Sequence, residues 1–148
     1  MAMLENVNTY VLPDNSNSIL AEVLPMYHPA RVTWEVLTAE EKEGYLKAAV
    51  NRIEDMQFIG DRARYFQPLK FPRIARGLPV DFQNAPDEVK KAQVVIAADI
   101  MQHELYVLRR NADACKSLGI LEETPPPSSL AGKAEELLHR WRTNWRRV

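Results

Sequence analysis

The side chains that most often do chemistry are thinly spread in this sequence. Its three histidines, His28, His103 and His139, lie in separate segments, and none has a cysteine or acid at the spacing of a metal site. His103 is followed by Glu104, but the second histidine of a HExxH motif is missing. Cys115 is the one cysteine, has no neighbouring base to activate it, and reads as a passive thiol. A single cysteine also excludes an intramolecular disulfide framework and fits a reducing compartment. Glu40, Glu41 and Glu43 stand close enough to suggest paired carboxylates for acid–base work. At the start of a helix they serve instead as cap and dipole residues. None of GxGxxG, GxxxxGK[ST] or GxSxG is present, and five glycines leave little for a phosphate-cradling loop. The expectation is a non-enzymatic protein with no metal and no cofactor.

Binding chemistry is better represented. From Asp61 to Arg76 the chain carries five bases, Arg62, Arg64, Lys70, Arg73 and Arg76, against one acid. Within this stretch FQPLKFPRIARGLP, residues 66–79, combines three prolines with apolar residues in a run too apolar for a free linker. Pro68 and Pro72 fix φ and bias Gln67 and Phe71 toward extended backbone. Leu69 and Phe71 then alternate with Lys70, so one side can anchor while the other faces out. An acidic counterpart lies earlier: residues 35–55 hold six acids against three bases, with Glu35, Glu40, Glu41 and Glu43 clustered. The two patches suit a contact between different surfaces of neighbouring copies, in which charge sets register.

Charge is also distributed along the chain. The 148 residues carry a formal net charge of −1, which announces no nucleic-acid binder as a whole. Residues 1–115 hold 13 Lys+Arg against 16 Asp+Glu, whereas residues 116–148 hold 6 against 4. The end of the chain is basic and aromatic, with Arg140, Trp141, Arg142, Trp145 and Arg146 close together. No apolar run approaches the ~20 residues of a membrane span, and the first residues lack the pattern of a secretory signal. A soluble, intracellular product is expected.

The elements that must position these residues are mostly helical. Asn8–Leu12 has strand-like content and stops at Pro13. Ser16 or Ser18 then offers a cap for a short helix limited by Pro25 and Pro29. Trp34 is expected to pin this arm to the core. Thr38 with Glu41 forms a capping box, and Leu46, Ala49, Val50, Ile53 and Met56 come after it at helical spacing, with Gly60 as a plausible stop. A second long helix starts near Pro86. Its faces, Val89–Ala92–Ile96–Ile100–Val107 and Val94–Ala97–Met101–Leu105–Leu108, are interrupted early by only Gln93 and Asp99, which marks it as central.

The segment ETPPPSS, residues 123–129, reads as a polyproline linker. After it Leu130, Ala134, Leu137, Trp141 and Trp145 form a stripe on a helix too short to stand alone, which needs a partner surface. The reading is a mainly α protein, a small helical bundle of about four helices with a Pro-rich loop and an extended C-terminal helical tail. Its parts are a body at residues 1–122 that folds without the tail, a linker at 123–129 and an amphipathic basic tail at 130–148.

The order of Trp34, Thr38, Glu41, Leu46, Ala49, Ile53, Phe58, Gly60, Gln67, Leu69, Phe71, Pro72, Arg73, Pro86, Val89 and Ala92 resembles the head-tail connector, or adaptor, proteins of tailed phages. That family also goes under the description of DnaT-like single-stranded-DNA-binding proteins. The resemblance covers roughly residues 9–105 and is densest in QPLKFPR. It implies a non-catalytic ring, usually a dodecamer, that sits on the portal, extends the DNA channel and receives the next neck or tail protein. Double-stranded DNA would pass through the lumen without sequence-specific contact. The location implied is the virion neck, after assembly in the host cytoplasm. By analogy with related adaptors the tail would dock on the portal through Leu137, Arg140, Trp141, Arg142, Trp145 and Arg146. The rival is a single-stranded nucleic-acid-binding module whose Trp/Arg tail stacks on bases. A membrane-surface tail is disfavoured by Glu135 and Glu136 and by its short length.

Overall fold

In the computed structural model the chain is described at residues 9–64, 66–78, 83–117 and 129–142. Among these residues five α-helices form: α1 Pro13–Val23, α2 Pro29–Glu35, α3 Ala39–Glu54, α4 Asp87–Ser117 and α5 Ser129–Leu138. A single 3-10 turn, His139–Trp141, comes directly after α5. Two short strands, β1 Asp61–Arg62 and β2 Arg73–Ile74, pair antiparallel, with Asp61 opposite Ile74 and Arg62 opposite Arg73. The architecture is a small helical bundle with a C-terminal helical extension. Its centre is α4, against which α1, α2, α3 and α5 all pack.

Local sequence accounts for most of these elements. Thr38 accepts the Glu41 amide and Glu41 accepts the Thr38 amide, the reciprocal cap that starts α3. Leu46, Ala49, Val50 and Ile53 are buried along one face of α3, and Met56 just beyond it is half-buried. The α3 helix ends at Glu54 with Asp55 as its cap, six residues before the expected stop at Gly60. Helix α4 starts immediately after Pro86, whose carbonyl accepts the amides of Val89 and Lys90.

Helix α1 starts differently from the expectation. Pro13 occupies its first turn, where a missing N–H costs nothing, and Leu12 is the cap residue. Ser16 and Ser18 therefore lie inside the helix. Ser16 is fully buried, donating to the Pro13 carbonyl and accepting from the Trp34 indole N–H at 3.0 Å. That bond satisfies the polar tip of the buried Trp34 ring and ties α1 to α2. Helix α2 itself was not legible in the sequence. His28 caps it by accepting the Ala30 amide through Nδ1, with Pro29 next in line.

The core is continuous around the first half of α4. Val89, Ala92, Val94, Val95, Ile96, Ala97, Ala98 and Met101 are all buried, and Gln93 is buried among them. Gln93 is satisfied on both ends: its amide N–H groups reach Thr9 Oγ1 and the Leu46 carbonyl, and its oxygen accepts from the Tyr10 amide. Toward the other end α4 emerges, with Val107 and Leu108 exposed.

The C-terminal stripe finds the partner surface it needs within the chain. Leu130, Ala134, Leu138 and Trp141 are buried in the same core as α4. The inward position is Leu138, at i, i+4, i+8 spacing with Leu130 and Ala134, while Leu137 is only half-buried. The Ile59 amide donates to the Trp141 carbonyl at 2.8 Å, and Phe58 and Arg142 form an antiparallel bridge. Arg140 pairs both guanidinium N–H groups with Glu88 at the start of α4. The linker around residues 123–128, and Trp145 and Arg146, fall outside the described residues.

This packing generates a stability prediction opposite to that for a detachable tail. Truncation before Ser129 removes the cover of α4 and is expected to abolish cooperative urea unfolding of the remainder. The milder Trp141→Ala is expected to cost about 3–5 kcal/mol, the usual range for truncating a buried Trp. Equilibrium denaturation monitored by circular dichroism checks both, and a truncated chain as stable as the full one would refute the packing argument.

Candidate assembly interface

The loop between α3 and α4 is held from below by aromatic rings and buried polar groups. Phe71 is buried against Phe58 at a centroid distance of 4.7 Å, Trp141 at 5.3 Å and Tyr10 at 6.1 Å, each edge to face. Gln67, also buried, works as an internal clip. Its oxygen accepts the Arg64 amide, and its N–H groups reach the carbonyls of Leu69 and Pro72 at 2.8 Å. The Phe71–Pro72 peptide is cis. Gly60 has φ +77, and a Cβ there would run into the Ile74 carbonyl, so the close approach of the two strands requires glycine.

Glu54 at the end of α3 ties the loop to the body. Its carboxylate accepts from the Tyr10 hydroxyl at 2.7 Å and from the Lys70 amide at 2.9 Å, while the Phe71 amide donates to the Tyr10 oxygen. Burial, and then the Glu54 carboxylate, push the Tyr10 phenol well above its usual value. The neutral phenol is thus the form the fold holds.

The five bases of the loop divide into two groups. Arg73 is half-buried and donates to the carbonyls of Ile59, Lys70 and Gly60. Lys70 donates its ammonium to the Met56 carbonyl at 2.6 Å and lies over the Phe58 ring. Both are thus bonded to carbonyls within the chain. Arg62, Arg64 and Arg76 are exposed. Arg62 reaches the Leu69 carbonyl and is paired with Arg73 across the two strands; burial, and then the charge of Arg62, lower the Arg73 pKa. Next to Arg64 the ring of Phe66 is 89% exposed, and Ile74 on β2 is also exposed.

The acidic set sits on α2 and α3. Glu35, Glu40, Glu41 and Glu43 are all exposed. Glu41 is occupied in the capping box, Glu35 pairs with Arg31 and Glu43 with Lys47, both at one-turn spacing. Exposed pairs of this kind are worth well under ~1 kcal/mol and are readily exchanged. Among the described residues no ion pair joins these acids to the bases of the loop. Sequence reading missed that apolar residues are exposed in the same part of the chain: Met26 and Tyr27 before α2, Val32 on it and Val36 at its C-cap, Tyr27 by 83% and Val36 by 79%. The four-residue interval between Val32 and Val36 was the available signal, since residues four apart on a helix share a face.

The tail bases are drawn inward. Arg140 is engaged by Glu88, and Arg142 by Glu135 and the Met56 sulfur. With Trp141 in the core and Leu137 half-buried, the described part of the tail is a strap on the bundle rather than a free docking arm. A groove of about 730 Å³ opens beside the loop between Tyr10, Asn15, Phe66, Leu69 and Lys90. Among the described residues no group of three or more His, Cys, Asp or Glu could hold a metal ion, and no helix is long and apolar enough to cross a membrane.

Comparison with known families places this scaffold. The family model described as "Putative DnaT-like ssDNA binding protein" matches residues 3–122. The chain belongs to this family. The match takes in α1 to α4 and the whole loop between α3 and α4, and stops before α5. The description names binding and no reaction, in keeping with a non-enzymatic protein. No curated protein and no solved structure matches the chain.

The anchoring of the loop leads to two expected outcomes. Tyr10→Phe removes the donor to Glu54 and the acceptor of the Phe71 amide, and is expected to cost about 1–3 kcal/mol at neutral pH. With the folded phenol held above its usual value, its contribution is complete below pH 10, where the unfolded tyrosine is still neutral. It is lost as pH rises beyond that, because only the unfolded chain then ionises. Urea midpoints across this range should fall more steeply for the wild type than for Tyr10→Phe. Separately, Gly60→Ala should destabilise several-fold more than Gly77→Ala, since Gly77 has φ +81 but open space around it. Equal losses in thermal denaturation would contradict the close strand approach.

Proposed function

We propose that this protein is a structural head-tail adaptor of a tailed bacteriophage, forming a ring on the portal that extends the DNA channel and receives neck or tail proteins. The observation that carries the reading is the pair of unlike surfaces on one rigid body. Exposed acids on α2 and α3, and exposed arginines on the anchored loop, find no partner in each other within the described chain. Complementary but different patches make a heterologous contact, and such contacts generate closed rings when the rotation between copies closes. Twelve copies would match the dodecamer expected from the resemblance to phage adaptors. The DNA would pass through the lumen without sequence-specific contact, and the completed protein would sit in the virion neck.

The second reading, a single-stranded nucleic-acid-binding module, is favoured by the family's description. Its expected instrument, the Trp/Arg tail, counts against it, because Trp141 is buried and Arg140 and Arg142 pair with acids. Portal docking by the tail stays part of this reading, through the exposed Arg140 and the half-buried Leu137 and Arg142, with Trp141 buried and Trp145 and Arg146 beyond the described residues.

Electron microscopy of the full chain mixed with its portal is expected to show rings seated on the portal. A portal that retains no copies, with or without tail components, would sink the adaptor reading. In a mobility-shift series with single-stranded DNA, little binding is expected at physiological salt. Tight binding that weakens steeply with rising salt, as counterion release demands, would favour the rival instead.

A further inference from the structure

Of the exposed apolar residues, Tyr27, Val32 and Val36 come shortly before the acids of α3, and Phe66 lies among the arginines of the loop, while Val107 and Leu108 stand apart on α4. On one side Val32 is exposed on α2 and Val36 at its C-cap, with Tyr27 exposed just before that helix. Glu35 lies within this run, and Glu40 comes four residues after Val36, a reach of at most about 14 Å. On the other side Phe66 stands two residues from Arg64, within about 7 Å along the chain. Single exposed apolar residues are ordinary. Here one apolar feature has the acids Glu35 and Glu40 nearby, with Arg31 paired to Glu35, and the other has Arg62 and Arg64 nearby, with Asp61 as the one acid before them. This is the arrangement of an interface core with a polar rim.

We propose that Phe66 of one copy seats on the Tyr27–Val32–Val36 edge of the next, with Arg62 and Arg64 meeting Glu35 and Glu40. The occupant of each surface is thus a second copy of this chain, a contact that rests on the ring reading and names its residues. Three features favour a second copy over an unrelated protein. The two surfaces have opposite charge, both are apolar at the centre, and among the described residues no ion pair joins them within the chain. The body also presents the loop rigidly, because Gln67, Phe71 and Glu54 fix it from beneath. A preorganised knob loses little freedom on docking. Lys70 and Arg73 take no part, since they are half-buried as well as held by backbone carbonyls, whereas Arg62 is exposed.

The contact is tested by directed cross-linking of the full chain, with Cys115→Ser as background. One preparation carries Val36→Cys and a second carries Phe66→Cys. A short bismaleimide is expected to yield dimers from the mixture and far fewer from either preparation alone, because the contact is head-to-tail. The doubly substituted chain should give a ladder of multimers. Arg64→Glu in the Phe66→Cys chain should lower the yield about tenfold, the equivalent of one exposed-to-buried charge contact. Glu40→Arg in the Val36→Cys chain should restore it, which a folding defect could not do. Like-with-like dimers at either site, or no rescue by the charge swap, overturn the contact. Such a failure beside intact rings on the portal leaves the adaptor reading standing with a different interface, so the two ideas fail separately. A chain that yields no cross-link even at high concentration also overturns the contact.

Discussion

The ring of Phe71 is where three distant parts of the chain meet. Tyr10 from the segment before α1, Phe58 from the stretch after α3, and Trp141 from the 3-10 turn after α5 all set their edges against it. Burying aromatic rings of this size contributes a few kcal/mol each, and edge-to-face contact adds to that. The geometry also has a directional effect. A ring clamped on three sides fixes its own backbone, and the backbone on either side of Phe71 belongs to the loop that carries the exposed arginines.

From that clamp the polar groups acquire their roles. Glu54 can hold the Lys70 amide and the Tyr10 hydroxyl together because Phe71 has brought those segments within reach. Arg73 commits its donors to three carbonyls where the two strands begin and end. Among the described residues these bonds hold Gln67, Lys70, Phe71 and Arg73 of the loop against the body. Surface rigidity matters more for assembly than total charge, because an ordered patch is docked without first being ordered. The protein's modest net charge of −1 thus conceals two localised and opposite fields.

The tail shows how composition can mislead about role. Trp and Arg together are typical of interface hot spots, and an apolar stripe after a polyproline stretch suggests an arm in search of a partner. The partner turns out to be the chain's own α4. A single long helix as apolar as residues 89–101 must be covered on all sides, and α1, α2 and α3 leave one side open. Helix α5 closes it, and the Arg140–Glu88 pair sets its position along α4. The family match ends before α5, so this covering element lies outside the matched residues while being part of the same core.

How much of this was legible in the sequence obeys a physical division. Short-range rules made the capping box at Thr38 and Glu41, the inward stripe of α3, the central character of α4 and the anchoring of Trp34 readable, because each depends on residues within a few turns. They also marked residues 66–79 as a shaped, partly buried loop, since prolines act locally on the backbone. The start of α1 was misplaced because Pro13 at a first turn competes with Ser16 as a signal, and only the indole of Trp34, eighteen residues away, decides what Ser16 does. Which arginines face solvent was decided wholly by tertiary contacts. Arg64 and Arg73 look alike in sequence, but the carbonyls that capture Arg73 come from Ile59 and Gly60, across a strand pair whose register no local pattern specifies. The sequence by itself determined α3, α4 and the kinds of surface the chain could display. The tertiary structure alone decided which side chains remain on that surface, because burial and hydrogen-bond capture depend on segments far apart along the chain.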